Sequence, residues 1–143
     1  MTKRNIGYWA STGLLSLAFA AGGVFDLSGA PAVAESLSKL GYPGYFALIL
    51  GAWKLLGAVA IAAPGLPRLK EWAYAGMFFD LSGAALSHAF SGDGADKLMA
   101  PVMLSALLVA SWALRPASRT LSTRAKESPS APEPHGALTP RTA

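Results

Sequence analysis

Four stretches of this chain are nearly free of charge, and each is about as long as a lipid bilayer is thick. Ile6–Phe25 holds no charged residue, Leu40–Pro67 holds only Lys54, Trp72–Gly92 only Asp80, and Leu98–Leu114 none. Crossing a hydrocarbon core of ~30 Å takes about 20 predominantly apolar residues, with a range of ~17–25. The stretches therefore predict transmembrane helices over about 6–25, 45–63, 72–90 and 98–114, the last carrying Pro101 in its first turn. A buried helix of a soluble bundle keeps a polar face, whereas Leu14–Phe25 has only Ser16 as a side-chain polar group. Four helices apolar all round would leave a soluble 143-residue protein without a solvated surface. The predicted fold is all-α, a four-transmembrane-helix bundle over residues 1–116.

The charged residues, 14% of the chain against a usual ~25%, lie between these stretches. Lys3, Arg4, Arg68, Lys70, Arg115, Arg119, Arg124, Lys126 and Arg141 fall on one side of the expected topology, and only Lys39 and Lys97 on the other. By the positive-inside rule both termini are cytoplasmic. The net charge of +4 is thus a topology signal, and basic residues spread over three segments do not make a nucleic-acid face. Trp9, Trp72 and Trp112 fit an aromatic belt on the inner side. Lys3 and Arg4 followed by Ala32-Val33-Ala34 also fit a signal peptide cleaved within residues 1–34. Against cleavage, the apolar run is longer than the usual ~7–15 residues. The chain has no cysteine, which excludes disulfides, thiolate metal sites and iron–sulfur clusters.

Between the first two spans, Val33, Leu37 and Leu40 recur at helical spacing and predict a short amphipathic helix on the outer interface. After Arg115-Pro116 the sequence turns to Pro among Ser, Thr and Ala, which predicts a disordered cytoplasmic tail over 117–143. An internal repeat is also present. Phe25-Asp26-Leu27-Ser28-Gly29-Ala30 returns unchanged as Phe79-Asp80-Leu81-Ser82-Gly83-Ala84, and Ala21-Gly22 matches Ala75-Gly76. Spans one and three run in the same direction, so the repeat predicts two similar helical hairpins, an arrangement that occurs in transporters.

Charges inside the spans are costly and normally pair. Lys54 and Asp80 fall at similar depths when counted inward at ~1.5 Å per residue, so an ion pair between spans two and three is expected. Asp26, at the outer end of span one, is a second acid that Lys54 could reach by snorkelling outward. The position one repeat after Lys54 is Leu108, so two aspartates share one lysine, as proton or cation handling would require. His88 lies two turns outward of Asp80 and, with it, is a candidate proton or quinone site. One intramembrane histidine does not make a bis-histidine haem site, and no metal-ligand set or hydrolytic constellation stands out.

Several segments resemble the DoxX-like membrane proteins. They are Leu40-Gly41-Tyr42-Pro43, Leu50-Gly51-Ala52-Trp53-Lys54-Leu55-Leu56-Gly57, Lys70-Glu71-Trp72-Ala73-Tyr74-Ala75-Gly76, and Asp80 through His88. The resemblance covers roughly Tyr8 to Pro116. It implies a four-helix integral protein of the bacterial cytoplasmic membrane, whose wider relatives are small subunits of a terminal quinol oxidase or of thiosulfate:quinone oxidoreductase. In the better-known branch the resemblance implies a basic residue near the end of span one and an acid in span two; Asp26 and Lys54 reverse that order. The expected function is a noncatalytic subunit associated with a quinone-linked redox system, with no resident cofactor and at most a quinone contact. Its partners would be the lipid bilayer and a membrane redox protein or further copies of itself. The alternative is a small homo-oligomeric transporter or proton/cation carrier using Asp80, Lys54 and Asp26.

Overall fold

The computed structural model describes residues 2–121. Among them the fold is all-α, with five helices and no strand: α1 (Lys3–Leu27), α2 (Pro31–Lys39), α3 (Phe46–Ala62), α4 (Pro67–Phe90) and α5 (Ala95–Ala113). A single 3₁₀ turn, Ala117–Arg119, follows α5. That turn replaces the first residues of the expected disordered tail. The rest of that expectation lies outside the described residues.

The helix ends follow local chemistry. Thr2 caps α1 by accepting from the Asn5 backbone N–H. Pro31 and Pro67 stand in the first turns of α2 and α4, where a missing N–H is harmless. The repeated hexapeptide takes two conformations. Its first copy ends α1, with Gly29 in the left-handed region (φ 67°) ahead of Pro31. Its second copy runs through the middle of α4, because Ala84-Ala85-Leu86 carries the helix on. One detail is common to both: Ser28 Oγ donates to Phe25 O and Ser82 Oγ to Phe79 O. In α5 the helix starts at Ala95, so Pro101 falls in the second turn instead of the first.

Helix α1 packs on α3 and α5, and α4 packs on α5 and α3. One core joins all four, with Leu15 and Phe19 from α1, Ala58 and Ile61 from α3, Tyr74, Met77 and Leu81 from α4, and Leu108 from α5. The amphipathic helix expected over this segment is present as α2, and its apolar face packs on α3. Val33 and Leu37 are buried against Ala47 at the start of α3, so the helix is part of the fold.

Polarity is inverted relative to a soluble protein. Trp53, Phe79, Trp72 and Phe90 are 68%, 72%, 81% and 88% exposed, while Lys70 and Ser111 are fully buried and Arg115 is 3% exposed. An apolar outside, with the few buried polar groups paired inside, suits hydrocarbon as the solvent. By length and composition α1 and α5 are each long and apolar enough to cross a membrane. Helix α3 is apolar but has 17 residues. The protein is a helical membrane protein.

Candidate functional site

The site begins with glycine. At the crossing of α1 and α3 a Cβ on Gly23 would lie 2.9 Å from Gly51 O, and one on Gly51 would lie 2.8 Å from Gly23 O. The two backbones touch, as small residues allow in membranes. On these antiparallel helices Asp26 lies about 4.5 Å from the crossing in one direction and Lys54 about 4.5 Å in the other. Helical side chains lean toward their own N-terminus, so these two lean toward each other. Lys54 Nζ donates to Asp26 Oδ2 at 2.8 Å, with both side chains mostly shielded.

The expected Lys54–Asp80 ion pair is therefore not the one that forms. Depth along the helices was a sound guide, but lean decides the partner. Helix α4 runs parallel to α1, so Asp80 leans away from the end of the molecule toward which Lys54 extends. Among the described residues the Asp80 carboxylate has no hydrogen-bond or ion-pair partner. Simultaneous charge reversal at Asp26 and Lys54 is the exchange expected to preserve folding.

Asp80 and Lys54 sit on the wall shared by two cavities. One, about 490 Å³, faces the α2 end and is lined by Asp26, Tyr42, Ser87, His88 and Lys97 as well as by Lys54 and Asp80. The other, about 480 Å³, runs along the α3–α4 seam toward the start of α4, past Trp53, Leu56, Met77, Leu69 and Trp72. Its lining is almost wholly apolar up to Lys54 and Asp80. The four singled-out residues Asp26, Lys54, Asp80 and His88 thus meet at one polar cavity.

His88 has a partner that sequence reasoning missed. Its Nδ1 lies 2.7 Å from Asp93 Oδ2, where the ring N–H donates to the carboxylate, and Lys39 of α2 also pairs with Asp93. Lys39 and Asp93 are 54 residues apart. No spacing in the sequence points to this contact, which joins α2 to the α4–α5 loop. Nearby, Tyr42 Oη and Ser87 Oγ share a hydrogen bond of 2.8 Å. The hydrogen bonds from His88 and Lys39 hold the Asp93 carboxyl below the usual carboxylate range. A carboxyl with a lowered folded pKa stabilises the fold above its unfolded pKa near 3.9, and that contribution is lost as pH falls through the folded value. Acid should therefore loosen α2 from the α4–α5 loop below about pH 4. Asp93→Asn should remove this acid-dependent step from thermal unfolding curves of the detergent-solubilised protein.

The opposite end of the molecule is held by a second polar cluster. Thr12 of α1, Ser111 of α5 and Tyr74 of α4 form a buried hydroxyl chain with links of 2.7 Å and 2.7 Å. Arg115 pairs with Glu71 at 2.8 Å and stacks its guanidinium over Tyr74. Lys70 donates to Ala60 O at 2.8 Å, Ile61 O at 3.2 Å and Ala63 O, and Arg119 donates to Ile61 O and Ala62 O. This ending of α3 was not foreseen, since Lys70 read as a loop cation. Ser111→Ala cuts the hydroxyl chain at its centre and should cost about 1 kcal/mol in reversible unfolding.

Among the described residues no group of three or more His, Asp or Glu side chains could hold a metal ion. A family model described as the DoxX-like family matches residues 10–111. No curated protein and no solved structure matches the chain.

Proposed function

The chain belongs to the DoxX-like family, and on that premise we propose that it is a four-span carrier of protons or cations working on Asp80. In this reading α1, α3, α4 and α5 span the bacterial cytoplasmic membrane as two similar hairpins with both termini inside. Copies of the chain associate. The observation that carries the reading is the position of Asp80, a carboxylate without a partner on the wall between two cavities. One cavity leads to the α2 end, with His88 and Lys97 in its lining, and the other to the start of α4. Asp80 is the one carboxyl that lines both cavities among the described residues, and a group open to two sides is the minimum that alternating access requires. Lys54, held by Asp26, tunes the charge of the site without occupying it.

Proteoliposomes with an internal pH dye and an imposed potassium diffusion potential test this. Wild type should acidify faster than empty vesicles, and Asp80→Asn should abolish the difference while leaving a monodisperse protein. Equal rates in wild type and Asp80→Asn would refute the carrier reading.

The quinone-linked subunit reading draws its support from the apolar cleft between Trp53 and Trp72, which ends on a donor, Lys54, and an acceptor, Asp80. A flat lipophilic ring with a carbonyl at its edge suits such a slot. Affinity purification from native membranes in mild detergent should then retain a quinone and a redox protein; their absence alongside Asp80-dependent flux would leave the carrier reading alone.

A further inference from the structure

We infer that the cleft along the α3–α4 seam is a binding site for a hydrophobic organic cation, with the ligand's positive centre at Asp80 and its apolar body between Trp53 and Trp72. The inference names the substrate class for the carrier read above, and its transport part rests on that reading.

Charge, shape and lining each support it. Two charged side chains line the head of the cleft, Lys54 from α3 and Asp80 from α4, and Asp26 from α1 lines the adjoining cavity. Lys54 is paired with Asp26 at 2.8 Å, which leaves the Asp80 carboxyl without a partner. A lone carboxylate at such depth calls for a countercharge. The cleft below it is too apolar to suit a hydrated metal ion, but its volume of about 480 Å³ has room for a bulky organic ion. Its walls carry two indoles, and an indole face attracts a cation. Trp53 and Trp72 are 68% and 81% exposed, so the slot opens sideways and a lipid-dissolved molecule has direct entry. Two further basic side chains, His88 and Lys97, stand on the other cavity, away from the apolar slot.

The position of Lys54 supplies a sharper consequence. If Asp26 loses its charge, Lys54 is released and its flexible stem turns to the remaining acid, Asp80. Removal of an acid that does not touch the ligand should therefore weaken cation binding. Removal of Lys54 as well should restore it.

The test is titration of the full-length protein, in detergent and in nanodiscs, with tetraphenylphosphonium and with neutral triphenylphosphine oxide. Binding is read by quenching of tryptophan fluorescence and by calorimetry. The expected result is saturable quenching by the phosphonium, at least about tenfold weaker for Asp80→Asn and retained for Asp80→Glu, with the neutral compound a poor competitor. Asp26→Asn should weaken binding, and Asp26→Asn combined with Lys54→Leu should recover it. Equal binding of the neutral compound, or unchanged affinity in Asp80→Asn, would overturn the inference, because the slot would then be merely apolar. Failure of the phosphonium to bind while Asp80-dependent proton flux persists would overturn the inference and leave the carrier reading standing. Phosphonium binding that follows Asp80 without any flux would uphold the site and overturn the carrier reading.

Discussion

Replacing Gly51 by valine should separate α1 from α3 and destroy the Lys54–Asp26 pair with a single change. The added Cβ would sit 2.8 Å from Gly23 O and 2.7 Å from Leu27 Cγ. The first of these is backbone and cannot rotate away. Relief requires the helices to move apart over the whole crossing, and overpacking of this kind costs about 1–3 kcal/mol before any lost contact is counted. A wider crossing also carries Asp26 away from the head of Lys54. We expect Gly51→Val to lower the midpoint of thermal unfolding by many degrees and to deplete folded protein in membranes, with Gly51→Ala intermediate. Gly76→Ala is the control, since a Cβ there meets nothing within 4 Å. Equal stability of Gly51→Val and Gly76→Ala would remove the argument for a backbone-to-backbone crossing.

Replacing Lys70 by methionine should be the most damaging change at the other end. The last carbonyls of a helix have no partner within it. Here Lys70 and Arg119 take those of Ala60, Ile61, Ala62 and Ala63. Methionine keeps the apolar stem and loses the ammonium, and each buried acceptor left unsatisfied costs about 1–3 kcal/mol. Arg119 still serves Ile61, and the variant is spared the burial of a charge. The net loss is therefore on the order of 3 kcal/mol and not the full sum. Reversible unfolding in mixed micelles measures it, and hydrogen exchange should show the last turn of α3 opening first. A loss below about 1 kcal/mol would mean that water enters the cluster once Lys70 is gone.

Much of the fold was legible along the chain. Charge-free runs placed the helices within a few residues of α1, α3, α4 and α5, because exclusion of charge from hydrocarbon acts on each segment separately. The burial of Lys70 was also legible in principle. Tyr74, Met77 and Leu81 are the buried stripe of α4, and one further turn back along it lies Lys70. Reading the positive charge as a loop signal concealed that continuation. The end of α1 was foreseeable from Gly29 and Pro31, although the same hexapeptide runs through α4.

The partner of Lys54 was not legible. Counting residues gives depth, and by depth Asp80 was the natural choice. The choice of Asp26 depends on where the leaning side chains stand relative to the α1–α3 crossing and on the approach of backbones at Gly23 and Gly51, both of which exist only once α1 and α3 are packed. By itself, then, the sequence determined that the protein is helical, that it lives in a membrane, and which few polar residues enter the apolar interior. Only the tertiary structure decided which of them neutralise one another and which is left over. The first is a matter of solvation, felt by each residue where it stands in the chain. The second is a matter of distances of a few ångströms between helices, and it leaves Asp80 as the unpaired carboxyl between two cavities.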